Sequence, residues 1–156
     1  MTGFITLKIR SHRVLDWHHA GLNNSAVALV RSALTDHSAS TQKSSLNAEW
    51  PLFFCAGNLR NRCGVISDFS VSHRDGRVIL SDFLDCAIEH DTCLEVAWRS
   101  WAITMEEFGR KVLERSPIPK DGILPEFCPL YEEFRQLLAD ELTSLRMRLN
   151  NCRVVE

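Results

Sequence analysis

The segment that most restricts the fold runs from Val65 to Leu84. Val65, Phe69 and Val71 share one parity and are interleaved with Asp68 and Ser70. Asp75-Gly76 follows, and then Val78, Leu80 and Leu84 at a spacing of two. Alternation of this kind marks a strand with one buried face. Asp-Gly marks a reversal, because glycine adopts positive φ without a Cβ clash. Together they predict an antiparallel hairpin. With residues 73–76 as a four-residue loop, Val71 faces Val78 and Phe69 faces Leu80. A loop of even length keeps both apolar sets on one face, whereas a slip by one residue exposes one of them.

The flanking segments supply partners for that face. Ile5, Leu7 and Ile9 alternate with Thr6, Lys8 and Arg10, which predicts a half-buried strand. Asn24-Ser25 can cap a helix carrying Ala26, Val27, Val30, Ala33 and Leu34 on one side. Residues 38–45, rich in hydroxyl side chains, read as a solvated, mobile loop. Trp50 to Cys55 is a further apolar strand-like run.

Residues 92–103 fit two periods. Leu94, Val96 and Trp98 alternate as in a strand, while Leu94, Trp98, Trp101, Met105, Phe108 and Val112 step by fours and threes as in a helix. The strand-prone Val96, Trp98, Trp101 and Ile103 favour a strand to Ala102. A helix then starts at Met105 behind a Thr104/Glu107 capping box, with Glu106–Arg110 and Glu107–Lys111 pairs along it. Pro117, Pro119, Gly122 and Pro125 mark a non-helical connector, and Pro129 suits the first turn of a last helix. Leu130, Phe134, Leu137, Leu138, Leu142, Leu145 and Leu149 form its stripe, wide enough for its own core and so a weaker candidate for an oligomer seam. The expected architecture is α+β: a single domain over 1–156, an antiparallel sheet with helices packed on one face.

Composition bounds the function. The 156 residues, 45% hydrophobic and 24% charged, suit one globular domain with its own core. A net charge of −2 gives no global field for nucleic acid, and Lys8, Arg10 and Arg13 make only a short basic stripe. The longest apolar stretch, Trp50 to Leu59, is too short to span a membrane. The charged N-terminal segment does not read as a secretory signal, so the cytoplasm is the expected location. The six cysteines are then expected as buried free thiols, the imidazoles inside with them, and the acids outside.

No motif for chemistry emerges. There is no Gly-x-Ser-x-Gly elbow, and no phosphate loop or dinucleotide fingerprint around Gly57 to Arg62. Cys63, after Arg60 and Arg62, is the least implausible reactive thiol, against the plainer reading of a strand residue pointing inward. Cysteine spacings of seven and eight do not suit zinc, and Asp16, His18, His90 and Asp91 would meet only by accident of folding. No catalytic residue, metal or cofactor is expected. The competing reading, a small hydrolase with a Cys/His site outside any motif, requires a deep pocket with shifted titratable groups.

One charge segment stands out. Asp82, Asp85, Glu89, Asp91 and Glu95 occur with no intervening Lys or Arg. Such a run is ordinarily a solvated loop; its sharper meaning is a contact surface for a basic partner, with Phe83 and Trp98 or Trp101 as anchors.

Glu49 to Phe54, Cys63-Gly64-Val65, Asp68 to Val71, Gly76 to Phe83, Thr104 to Phe108, and Tyr131 with Phe134 resemble small bacterial immunity proteins encoded beside secreted polymorphic toxins. The resemblance covers residues 49–138 and rests on strand and helix patterns; the first 48 residues do not share it. It implies a cytosolic inhibitor that binds a cognate toxin and performs no chemistry.

Overall fold

In the computed structural model, residues 2–9, 12–39, 52–54, 66–85, 88–90, 92–115 and 128–152 are described. Strands β1 (Thr2–Ile9) and β2 (His12–Gly21) form an antiparallel pair, and β2 runs directly into helix α1 (Leu22–Ser32). The second sheet has the order β3 (Phe53–Phe54), β4 (Ile66–Arg74), β5 (Arg77–Asp85), β6 (Ile88–His90), and β7 (Leu94–Ala97) also pairs with β5. Every pairing is antiparallel. Helices α2 (Trp98–Arg115) and α3 (Cys128–Asn151) complete the α+β architecture.

The helices cover one face of the β4–β5–β7 sheet. Phe69, Val71, Val78, Leu80 and Phe83 share a core with Val27 and Val30 of α1, Trp98, Trp101 and Met105 of α2, and Leu138, Leu142 and Leu145 of α3. Phe69 stacks on Phe83 at 5.1 Å and meets Trp101 edge-on at 6.3 Å. On the other face Ser72, Arg74, Arg77, Asp82, Glu95 and Ala97 are exposed. The α3 stripe is thus used inside its own fold.

The β4–β5 hairpin forms with a shorter turn than the loop length of the sequence reading. Arg74 pairs with Arg77, His73 with Val78 and Val71 with Leu80. The turn is Asp75-Gly76, both at positive φ (49° and 74°), the I′ geometry whose twist matches that of the strands. The register therefore moves by two residues, which keeps Phe69, Val71, Val78 and Leu80 on their expected face, whereas Leu84 leaves it because of the irregularity described below.

Four local expectations are corrected. Helix α1 begins at Leu22, so Asn24 and Ser25 lie within it. The strand over 94–102 ends at Ala97. Its partner at that point is Arg77, the first residue of β5, and beyond it the ladder has no continuation. Trp98 N–H donates instead to Gly76 O at 2.8 Å, and the chain turns helical there. Trp98, Trp101, Ala102, Met105 and Val112 then bury along one helical stripe, which outweighs their strand propensity. Thr104 is mid-helix, its hydroxyl donating to Ser100 O, so the capping box does not operate. The expected Glu106–Arg110 pair is also replaced: Glu106 binds Arg146 of α3, and Arg110 pairs with Glu114.

Candidate functional site

The acidic segment is built on β5 and its far neighbours. β5 carries an irregularity in its middle. Asp68 pairs with Leu84 but Ser70 with Ser81, so Asp82 and Phe83 lie opposite the single residue Phe69. Asp82 occupies the left-handed region, φ 51°, at this bulge. Glycine is the usual residue there, and an aspartate held in that conformation is strained by about 1 kcal/mol. The extra residue reverses parity along the strand: Val78 and Leu80 point into the core, and Phe83 resumes the inward face. Asp82 is exposed, and Ser81 Oγ donates to its Oδ2 at 3.0 Å.

The remaining acids are placed as follows. Asp85 ends β5 and pairs with Ile88; Glu89 is the middle residue of β6, opposite Leu84. Asp91 lies outside the described residues. Glu95 is exposed on β7, opposite Ile79, and its Oε1 lies 3.1 Å from Arg77 Nη1. Asp82 and Glu95 thus share the open face, but Glu95 carries its own counter-charge.

The expected aromatic anchors are not available at the surface. Phe83, Trp98 and Trp101 belong to the buried core. Trp98 is tied there by its indole N–H, which donates to Ala33 O at 2.9 Å, and by the Arg148 guanidinium 4.9 Å above its ring.

The expectation of thiols inside and acids outside meets exceptions in both halves among the described residues. Cys93 and Cys152 are free and exposed, and the other four cysteine side chains lie outside the described set, Cys63 among them. Asp68, on β4, is fully buried. Its Oδ1 accepts from His37 Nε2–H at 2.7 Å, Leu52 N–H at 3.0 Å and Phe69 N–H at 3.1 Å.

A second Asp–His pair adjoins it. His37 and Val71 exchange backbone hydrogen bonds of 2.8 and 2.7 Å, laying the chain after α1 along the edge of β4. Asp36 Oδ1 accepts from both the backbone N–H and Nδ1–H of His73, at 2.9 and 2.7 Å. Asp36 and His37, adjacent in sequence, thereby grip β4 at two points. Residues 36–39, and the start of the expected mobile loop with them, are held in place, since Ala39 N–H also reaches Ser70 Oγ.

Hydrogen bonds from His73 hold the Asp36 carboxyl below its ordinary value of 3.8. A carboxylate with a depressed folded pKa adds stability above the ordinary carboxylate range and loses it as pH falls through that range. Asp36→Asn is accordingly expected to lower the urea midpoint slightly at neutral pH. Unfolding titrations near pH 3 and pH 7 check this, the difference from the parent shrinking at the lower value. Orientation of His73 by Asp36 resembles the base–orienter half of a catalytic relay, yet His73 Nε2 is buried with no hydrogen-bond partner. The arrangement anchors the fold and does not present a base to substrate.

A cleft of ≈ 480 Å³ lies elsewhere, between β7, the Asp75-Gly76 turn, the start of α2 and Lys8 of β1. Asp36 and Arg110, whose pKa values are displaced, are not among its lining residues. Among the described residues, no group of three His, Cys, Asp or Glu is placed to hold a metal, and no helix is long and apolar enough to cross a membrane. No family model matches the sequence, and no curated protein or solved structure matches it.

Proposed function

We propose that this chain is a non-enzymatic, cytosolic binding protein of the immunity type, which neutralises a cognate toxin by contact between its acidic strand segment and a basic surface of the partner. The observation that carries the reading is Asp82. It is exposed and strained at a bulge of the central strand, where glycine would sit more comfortably. A strained, exposed residue on the central strand fits a contact role better than a packing role, and Asp85 and Glu89 occupy the ladder positions that follow it. Exposed acids accelerate encounter with a basic partner and disfavour wrong ones.

The test separates stability from binding. Asp82→Gly relieves the left-handed strain of about 1 kcal/mol but adds unfolded-chain freedom worth about 0.4–1 kcal/mol, so stability is expected to change by less than about 0.5 kcal/mol. The same change removes the contact charge. Pull-downs from the native host with both proteins as bait, quantified by mass spectrometry, are expected to show a basic protein retained by the parent and depleted with Asp82→Gly. Equal retention of every prey by the two baits dismisses Asp82 as a contact residue.

A further inference from the structure

The edge of a sheet offers its backbone donors and acceptors to any further strand. Successive residues of a strand turn those groups alternately to the two sides. In β4 the residues Phe69, Val71 and His73 share one parity, and Val71 exchanges its backbone hydrogen bonds with His37. These three residues therefore address the edge away from β5. β3 pairs with that edge at Ile66 and Ser67.

Beyond β3 the edge is closed by other means. Phe69 N–H donates to Oδ1 of the preceding Asp68 at 3.1 Å, Val71 N–H to His37 O at 2.7 Å, and His73 N–H to Asp36 Oδ1 at 2.9 Å. Each successive outward donor is thus capped, and two of the caps are carboxylates. His37 and His73 hold those carboxylates in turn, at 2.7 Å each. His37 meets Val71 as an isolated bridge, outside any strand.

The strip under these caps is complementary to itself. Antiparallel pairing of two copies of β4 about a two-fold axis at Val71 sets Phe69 opposite His73 and Ser70 opposite Ser72. The outward groups of residues 69, 71 and 73 meet their equivalents there. The same register sets Asp68 opposite Arg74, a pair of unlike charges. Within one chain Arg74 instead lies opposite Arg77, a like-charge pair, which is unfavourable across strands.

We propose that Asp36 and His37 form a detachable guard on the β4 edge, and that with the guard removed β4 pairs with β4 of a second copy of this chain. The guard keeps the chain from joining edge to edge. The inference makes no use of the acids of β5 and β6 and stands independently of the toxin-binding reading.

Sedimentation velocity of the full-length chain over a concentration series tests this, with the fold of each variant checked by circular dichroism. The parent is expected to stay monomeric. Asp36→Ala combined with His37→Pro removes the acid, the His37 imidazole and the His37 N–H. This variant is expected to dimerise several-fold more tightly than the parent, with the Val71 and His73 amides protected from hydrogen exchange in the dimer. If that chain does not fold, Asp36→Ala alone uncovers the His73 N–H and is read in the same way. Adding Arg74→Glu sets acid against acid across the two-fold axis while giving Arg77 an unlike partner in its own chain, so it is expected to restore the monomer. Gly109→Ala, a change on α2 that leaves the guard intact, is expected to stay monomeric. A folded guard variant that remains monomeric, dimerisation that survives Arg74→Glu, or equal association by the parent or by Gly109→Ala overturns the proposal.

Discussion

Gly109→Ala destabilises this protein. Inside a helix the change ordinarily stabilises by about 0.5–1 kcal/mol, because alanine has less backbone freedom to lose. Here the sign reverses. Gly109 is buried in α2 where α1 and α3 converge on it, and a Cβ at that position would lie 2.6 Å from Val30 Cγ2, 3.0 Å from Leu142 Cδ2 and 3.5 Å from Leu138 Cδ1. Val30 is a short, β-branched and fully buried side chain, so it has nowhere to retreat. Overpacking of this kind costs about 1–3 kcal/mol, and the net loss is expected at about 1–2 kcal/mol once the helix gain is subtracted. Urea unfolding measures it. A double-mutant cycle with Val30→Ala assigns the cause, since removing the Val30 methyl groups makes the alanine at 109 less costly. Unchanged or increased stability in Gly109→Ala would mean that the three helices do not meet at this glycine.

Asp68→Ala has the largest expected effect. One carboxylate oxygen accepts from His37, Leu52 and Phe69, and the side chain is fully buried. Truncation leaves those donors facing an apolar void. Orphaning buried partners of a charged group costs about 3–5 kcal/mol, a large share of the 5–15 kcal/mol of a typical domain. Asp68→Asn keeps an acceptor at nearly the same place and is expected to lose about 1–2 kcal/mol. Thermal and urea unfolding of the two variants check the order. An alanine variant within about 1 kcal/mol of the parent would remove Asp68 as the anchor of the 36–39 segment.

The two Asp–His pairs were invisible in the sequence for a plain reason. Their partners lie 31 and 37 residues apart, and no periodicity links residues just after a helix to their acid or histidine partners in a later strand. The hairpin was legible because its information is local: alternation selects the face and Asp-Gly marks the reversal, while the two-residue turn length was not fixed by either. The α3 stripe was legible on the same terms, since Leu138, Leu142, Leu145 and Leu149 satisfy one period over several turns. At 92–103 two periods shared Leu94 and Trp98. What decided between them was non-local: the sheet runs out of partner at Arg77. For the acidic segment, the sequence placed the charges but not the bulge. A signal was present in the parity break between Leu80 and Phe83, with Phe83 and Leu84 both apolar and both buried. Read as a bulge, that break would have singled out Asp82 among the five acids.

The most direct measurement is the association rate of the protein captured by the parent chain, followed by stopped flow from low to high salt. The account predicts a rate that falls steeply with ionic strength, and that drops at low salt in Asp82→Gly and in a combined Asp85→Lys, Glu89→Lys and Asp91→Lys variant. A rate indifferent to salt, with both variants binding like the parent, would contradict an acidic contact surface on these strands.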